Sequence, residues 1–357
     1  MAEISLCMIV KNEEKVLERC LESAKRLADE IVIVDTGSED RTVEIARQYT
    51  SRVYEIPWRD DFSQARNFSF SMAEKEYCMW LDADDVISEE NLEKLLEYKG
   101  KMDGTEDVVM VKYAAGFDEE DRPSFVYYRE RILKNRRELR WKGRVHEAVE
   151  PWGKTVYWDA AIYHKKEGAG EPGRNLRIYE KMREEGEIFG PRELFYYGRE
   201  LMYGGRTEEA VLVFQEFLDR KDGWKENQIE ACENLSACLQ ALGRKEESLR
   251  ALLRSLEYDR PRAELCCGIG SCFMEKEEWE TAAFWYEQAL KCGKQDQTGG
   301  FVREECHDYI PEMQLCVCLD RMGDCKQAYL HHLNAKRLRP EAPEVRYNEE
   351  YFRRVRE

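Results

Sequence analysis

Three aspartates follow a short apolar run in WLDADDVI, residues 80–87, and carboxylates held this close repel one another unless a cation neutralises them. The apolar residues before them predict a buried strand. If the extended conformation continues past that strand, Asp82 and Asp84 project to the same side. Capping of the helix predicted over EENLEKLLEY, by Asp85 or Ser88, would explain one acidic residue but not three. The pattern therefore favours a site for a hard divalent cation.

Strand and helix signals alternate through the first half of the chain. This β-α-β-α order predicts a mostly parallel sheet with helices on both faces. Ligands of such sheets bind at the carboxyl ends of the strands, and both Asp35 and Asp82 fall at predicted strand ends. The predicted strands are ISLCMIV, DEIVIVDTGS, SRVYEIP and EYCMWLDADD, and the predicted helices are EEKVLERCLESAKRL, EDRTVEIARQY and FSQARNFSFSMAE.

From about residue 190 the pattern changes to helices alone, arranged in four helix-turn-helix units. Ser248 and Ala282 align at a spacing of about 34 residues, which is the tetratricopeptide period. One turn residue recurs between the paired helices of each unit: Gly205, Gly243, Glu277 and Gly323. We therefore predict a degenerate tetratricopeptide-like array.

Length and charge narrow the possible classes of protein. The chain has 357 residues and a formal charge of -17, which argues against nucleic-acid partners because phosphate backbones demand clustered positive charge. Lys11 interrupts the N-terminal apolar run, so we expect neither a secretion signal nor a membrane span. The 13 cysteines are then expected as reduced thiols in a cytoplasmic protein.

These signals divide the chain into four segments. We predict an α/β domain over 1–170, a linker helix over 171–191, tetratricopeptide-like repeats over 192–345 and a C-terminal tail over 346–357. The basic run 134–144 is the local exception to the acidic charge, and it would either hold pyrophosphate or an anionic acceptor or form a solvated hairpin.

Four motifs resemble, in this order, those of family 2 glycosyltransferases of the GT-A fold: CMIVKNEE, IVIVDTGSEDRT, QARNFSFSMAEKEYCMWLDADD and RWKGRVHEAVE. With its repeats, the chain resembles more narrowly the bacterial subgroup fused to tetratricopeptide repeats, which includes peptide S-glycosyltransferases of the sublancin type. The resemblance implies a metal-dependent, inverting transfer of a hexose from a nucleotide sugar, most simply a UDP-sugar. It implies Mn²⁺ or Mg²⁺ as the cofactor, which would stabilise the diphosphate leaving group.

The resemblance also assigns roles to individual side chains. Asp84 of the Asp-x-Asp motif would bind the metal, and Asp82 would contact the ribose or share the metal. His164 lies where such enzymes often provide a further metal ligand, with a structural histidine as the alternative. Glu147, after His146, would be the catalytic base that takes the proton of the acceptor, with a surface strand residue as the alternative.

Four further residues would bind the donor by the same resemblance. Asp35, followed by Thr36 where many members carry a second acid, would contact the base or the ribose. Arg66 and Asn67 match the Ala-Arg-Asn helix of the family, in which the arginine would bind phosphate or close over the base. The plainer alternatives are a strand-to-turn aspartate at Asp35 and, at Arg66, a helix-surface residue paired with Asp60 or Asp61.

Three hypotheses cover the function of the chain: two differ in the acceptor, and the third has no transfer activity. The fused repeats favour a peptide or protein acceptor held in their concave groove and modified at Cys, Ser or Thr, although the same surfaces would also serve a homodimer. The nearest rival is a transferase that acts on a lipid-linked or cell-surface glycan. A third hypothesis is an inactive scaffold, against which the joint presence of Asp82, Asp84 and Glu147 argues.

Overall fold

The computed structural model describes residues 2–117, 121, 123–167, 171–293 and 302–356. These residues form two compact units, Met1–Ile188 and Phe189–Glu357. The first unit combines a sheet with helices and the second is built from helices. The predicted fold class, an α/β domain followed by helical repeats, is therefore confirmed.

The first unit contains ten described strands and five described helices. The strands are β1 Ile4–Val10, β2 Glu30–Asp35, β3 Val53–Glu55, β4 Tyr77–Trp80, β5 Asp85–Val86, β6 Val108–Phe117, β7 Pro123–Lys134, β8 Trp141–Lys142, β9 Ala148–Val149 and β10 Thr155–His164. The helices are α1 Leu17–Ala24, α2 Thr42–Tyr49, α3 Phe62–Ser71, α4 Glu89–Lys101 and α5 Arg174–Glu184.

Eight of these strands form one mostly parallel sheet in the order β3-β2-β1-β4-β7-β6-β10-β5. β1, β2, β3 and β4 run parallel to one another, as do β6 and β10, whereas β7 is antiparallel to both of its neighbours. β8 and β9 pair as a separate antiparallel hairpin. Parallel pairing places the carboxyl ends of β1, β2 and β4 at one edge of the sheet.

Helices cover both faces of the sheet because the central strands are apolar on both sides. In β1, Leu6 and Met8 pack in a core that includes Leu17 of α1 and Leu95 of α4. Cys7, between them, points to the other face and packs in a second core with Phe70 of α3. This arrangement confirms the prediction of helices on both faces.

The second unit is a stack of antiparallel helix pairs. In the first helices of two pairs, Gly198 and Gly270 allow close packing, because an added Cβ would lie 2.8 Å from the Phe214 ring and 2.9 Å from the Tyr286 ring. The helices are α6 Pro191–Tyr203, α7 Thr207–Arg220, α8 Lys225–Ala241, α9 Lys245–Arg254, α10 Ala263–Met274, α11 Trp279–Lys291, α12 Tyr309–Arg321, α13 Cys325–Leu338 and α14 Pro343–Arg356.

The turns inside the four helix pairs share one geometry. At the third turn, the amides of Glu277 and Glu278 donate to the carbonyls of Met274 and Phe273 at 2.9 and 3.0 Å, which is the Schellman ending of a helix. The same two bonds recur at the other three turns. Each turn holds one residue in the left-handed region: Gly205 (φ 74°), Gly243 (73°), Glu277 (59°) and Gly323 (85°).

Two predicted segments differ from the structure. The helix that was predicted as a linker, over 171–191, is α5 and packs within the first unit, where Ile178 and Tyr179 are buried. Of the predicted tail over 346–357, residues 346–356 instead lie in α14, which buries Val345 and Phe352. Both helices carry few apolar residues among many charges, so the sequence gives little sign of their packing. The predicted boundary at 170 lies outside the described residues.

Within the described residues, no helix is long and apolar enough to cross a lipid bilayer.

The left-handed turn at Glu277 gives a prediction about stability. A side chain costs roughly 1–2 kcal/mol in this conformation, and the added freedom of the unfolded chain offsets roughly 0.4–1 kcal/mol of that. Glu277→Gly should therefore raise the free energy of unfolding by ~0.5–1 kcal/mol. Gly243→Ala at the equivalent turn should lower it by about 1 kcal/mol. Urea denaturation of the full chain, followed by circular dichroism, measures both changes, and a Glu277→Gly variant that is no more stable would contradict the assignment.

Candidate functional site

The candidate site lies at the edge of the sheet where β1, β2 and β4 end. The loop over 81–84, the helix α3, the loop over 143–147 and the end of β10 meet there. Each of these segments contributes at least one of the residues that the sequence analysis singled out.

Asp84 and His164 are brought together, as predicted for the metal ligands, but the third acid beside them is Asp85. Antiparallel pairing of β5 with β10 sets His164 opposite Asp85. His164 Nδ1 lies 3.2 Å from Asp84 Oδ1 and 3.4 Å from Asp85 Oδ1, and one ligand atom from each residue lies within 4.8 Å of the others. Burial alone would lower the pKa of His164, but its hydrogen bonds to the two carboxylates raise it to about 10.

Asp85 is fully buried and serves the framework of the site. Its Oδ2 accepts from Arg131 Nη1 at 3.0 Å and from the amide of Asp82 at 3.0 Å. Its Oδ1 accepts from the hydroxyl of Tyr113 at 3.0 Å. Arg131 itself is wholly inaccessible to solvent, with its guanidinium 3.8 Å from the centre of the Trp80 ring. Asp85 therefore holds the turn over 82–85 in place from its buried side.

Arg66 of α3 joins two of the predicted site acids. Its Nη2 lies 2.7 Å from Asp82 Oδ1 and its Nε lies 2.6 Å from Glu147 Oε1. The guanidinium also lies 4.7 Å and 5.0 Å from the ring centres of Trp80 and Trp141. Burial favours neutral Asp82, but the charges of Arg66 and Arg131 outweigh it and lower the Asp82 pKa to about 2. Burial likewise disfavours charged Arg66, yet the two carboxylates raise its pKa.

The expectation that Asp82 and Asp84 project to one side of a continuing strand is wrong. β4 ends at Trp80, and the chain then turns, with the Asp85 amide donating to the Asp82 carbonyl at 3.0 Å. Asp82 consequently meets Arg66 while Asp84 meets His164. The helix α4 is capped by Ser88, whose hydroxyl accepts from the amide of Asn91, and not by Asp85.

The predicted donor-binding residues lie at the same edge, but their polar atoms are engaged within the protein. Asp35 Oδ1 accepts from the amides of Gly37 and Ser38, both at 2.9 Å, and the Thr36 hydroxyl donates to a β1 carbonyl at 3.2 Å. Asn67 exchanges two hydrogen bonds of 2.9 Å with the backbone of Trp141. These residues order the turn after β2 and the β8–β9 hairpin, and their contact with a donor stays a prediction.

The basic run 134–144 includes the first strand of the β8–β9 hairpin. Four of its six cations pair with acids of the same unit, among them Arg136 with Asp107 at 3.0 Å, Lys142 with Glu150 at 2.7 Å and Arg144 with Glu185 at 2.7 Å. This pairing agrees with the hairpin alternative.

Two residues of the site escaped the sequence reasoning. Glu13, in the CMIVKNEE motif, is half-buried, and burial together with the charges of Asp84 and Asp82 raises its pKa to about 7. Arg131 follows Arg129 and Glu130 in β7, so its neighbours in the sequence give no sign that it is buried, and a buried arginine needs a buried acid beside it. Asp85 is that acid.

The donor set suits a divalent cation. Carboxylate oxygens are the ligands preferred by Mg²⁺ and Mn²⁺, and a single imidazole is compatible with Mn²⁺. Burial is the largest cause of the raised pKa of Glu13, and the charges of Asp84 and Asp82 add to it, so a further carboxylate lies close to these acids. Both observations fit a metal at Asp84 and His164.

Comparison with known proteins places the first unit in a family. A family model described as Glycosyl transferase family 2 matches residues 5–156. A TPR repeat-containing protein of Synechococcus elongatus is 37% identical over 152 residues, which cover 42% of this chain and 36% of that protein. The SPbeta prophage-derived glycosyltransferase SunS of Bacillus subtilis is 30% identical over 224 residues, which cover 58% of this chain and 51% of that protein.

The chain thus spans between about a third and a half of the length of these two curated relatives. Among solved structures, MamA 41-end from Desulfovibrio magneticus RS-1 is similar to 49% of this chain and 89% of that chain, with 19% identity and a TM-score of 0.39. The first unit thus carries a glycosyltransferase family 2 domain over residues 5–156, and the second unit carries tetratricopeptide-like repeats.

Proposed function

We propose that this protein is a metal-dependent, inverting glycosyltransferase that moves a hexose from a UDP-sugar to a peptide or protein acceptor. The observation that carries the proposal is the position of Glu147. A carboxylate is held by Arg66 at the edge of the sheet where Asp84 and His164 also converge. Transfer with inversion needs a base and a stabilised leaving group at one site.

Asp84 and His164 are the residues that we assign to the cation, with Asp85 orienting them from behind. Bound there, Mn²⁺ or Mg²⁺ would neutralise charge that develops on the departing nucleoside diphosphate. Asp82 Oδ1 is engaged by Arg66, so its second oxygen is the atom that we assign to the ribose or the metal.

Glu147 is the residue that we assign as base. Its Oε1 accepts from Arg66, which fixes the plane of the carboxylate and makes Oε2 the oxygen that we assign to the proton of the acceptor. Arg66 then acts by positioning Asp82 and Glu147 relative to one another, in place of the direct contact with phosphate that the family pattern implies. We assign Asp35 and Thr36 to the nucleobase or ribose of the donor. Their own hydrogen bonds order the turn after β2 that would present them to it.

The peptide acceptor is supported by the repeats of the second unit, because stacked helix pairs present extended surfaces suited to polypeptides. A screen of UDP- and GDP-sugars against peptides that contain Cys, Ser or Thr, read by mass spectrometry, tests donor and acceptor together. Transfer to a lipid-linked glycan without transfer to any peptide would replace the peptide proposal, and no transfer from any donor would leave the scaffold hypothesis.

Asp84→Ala should remove the dependence of UDP binding on Mn²⁺. Loss of a supporting residue already costs ~10–100-fold in metal affinity, so loss of a ligand should weaken Mn²⁺-dependent binding of UDP by about 100-fold or more. Isothermal titration with UDP, with and without Mn²⁺, measures the change. The matched control is Asp159→Ala, since Asp159 is a largely exposed acid that pairs with Lys112, and unchanged affinity in Asp84→Ala would argue against the metal site.

Glu147→Gln should preserve UDP binding and lower kcat by ~10²–10⁴-fold, because the amide still accepts from Arg66 but no longer takes a proton. The release of UDP in the presence of an acceptor measures kcat, and circular dichroism confirms the fold. Glu150→Gln, an exposed acid of the same hairpin paired with Lys142, serves as the control and should stay near wild type. Near-normal turnover in Glu147→Gln would exclude this residue as the base.

A further inference from the structure

The helix α5, Arg174–Glu184, lies beyond the segment matched by the family model, residues 5–156. It nevertheless packs within the first unit and buries Ile178, Tyr179 and Met182. Two segments of the site receive its contacts: the loop over 143–147, which carries Glu147, and the start of α3, which carries Arg66.

Tyr179 makes the contacts with the loop that carries Glu147. Its ring stacks on the imidazole of His146, with the ring centres 6.3 Å apart and the planes 17° from parallel. Its hydroxyl lies 3.4 Å from the carbonyl of Val145, to which it donates. The tyrosine is only 1% exposed, so it holds both residues that precede Glu147 from inside the protein.

The backbone of this loop needs such support. His146 has φ of +51°, and Gly143 has φ of +93°. A residue with a side chain in this left-handed region carries strain, on the order of 1–3 kcal/mol, which the surroundings must offset. The strained residue directly precedes Glu147, so a change at His146 alters the direction in which the Glu147 side chain leaves the backbone.

Other contacts of the same helix reach the start of α3. Lys181 Nζ lies 2.6 Å from Asp60 Oδ2, and the Arg174 guanidinium lies 4.7 Å from the centre of the Phe62 ring. The amide of Phe62 in turn donates to the carbonyl of Arg144 at 2.8 Å. The helix therefore contacts both segments that the Arg66–Glu147 ion pair joins.

We propose that Tyr179 is a positioning residue for the transfer reaction, acting through His146 to hold Glu147 in place. The inference rests on the proposed function of Glu147 as the base. Through Tyr179, α5 supports the loop that carries the base, although the helix lies outside the segment that the family model matches. A displacement of the base by about 1 Å is enough to lower the rate ~100-fold, so loss of the Tyr179 ring should lower kcat while the donor KM stays unchanged.

Three variants separate positioning from simple packing. Tyr179→Leu removes the ring. Tyr179→Phe keeps the ring and removes the hydroxyl that donates to Val145. Ile178→Ala weakens the packing of the same helix while leaving Tyr179 intact. We expect Tyr179→Leu to lower kcat by ~10–100-fold and Tyr179→Phe to restore it to within about threefold. Ile178→Ala should lower Tm by a similar amount as Tyr179→Leu, since both remove buried carbon, with kcat near wild type.

Coupling between the two rings gives a second measurement. His146→Asn keeps a residue that tolerates left-handed backbone and removes the imidazole, so it should reproduce the loss of kcat in Tyr179→Leu. The double variant should lose no more than either single variant, because the two residues act through one contact. Losses that multiply would overturn the inference.

Hydrogen exchange supplies a readout that does not depend on turnover. Peptides that cover residues 141–149 and the amide of Phe62 should exchange faster in Tyr179→Leu than in Tyr179→Phe or Ile178→Ala. If these segments exchange equally in all three variants, or if Tyr179→Leu raises the donor KM and leaves kcat unchanged, Tyr179 is not a positioning residue. If the wild-type protein transfers no sugar but Tyr179→Leu still shows the faster exchange, the proposed function is wrong, while the contact between Tyr179 and this loop stands.

Discussion

One buried guanidinium holds the candidate site together. Arg66 comes from α3, Asp82 from the turn after β4 and Glu147 from the loop before β9, and the two ion pairs of Arg66 join all three segments. Removing one partner from a fully buried ion pair costs roughly 3–5 kcal/mol, and somewhat less here because the Asp82 side chain is 35% exposed. The helix α3, the turn after β4 and the loop over 143–147 are therefore held in fixed positions relative to one another.

A second guanidinium explains why the chain carries three aspartates where a metal motif needs two. Arg131 is buried between Trp80 and Tyr113 and neutralises Asp85. Asp85 in turn accepts the amide of Asp82, so the turn is fixed before any ligand arrives. Asp82 pairs with Arg66, Asp85 pairs with Arg131, and His164 lies 3.2 Å from Asp84 and 3.4 Å from Asp85. Identical side chains at neighbouring positions serve different purposes because α3, β7 and β10 each present a different cationic group to them.

Local patterns predicted the elements well and their partners poorly. The apolar run ISLCMIV gave β1 with its observed bounds, Ile4–Val10, and the turn positions of the repeats were recognised even at Glu277, where glycine is absent. The Arg66–Glu147 pair spans 81 residues and the Arg131–Asp85 pair spans 46. Periodicity and spacing contain no information about contacts at such separations. The packing of α5 was missed for a different reason, because its apolar residues form only a narrow stripe in a charged helix.

The balance of charge at this edge argues for a cation independently of the motif. Arg66 and Arg131 are committed to Asp82, Glu147 and Asp85, which leaves the His164 imidazole as the ion-pair partner of Asp84 in the described part of the chain. Glu13 adds a further carboxylate nearby, and burial together with the charges of Asp84 and Asp82 raises its pKa to about 7. A negatively charged diphosphate would be repelled from this edge unless a cation accompanied it. The proposed function therefore predicts that donor and metal bind together.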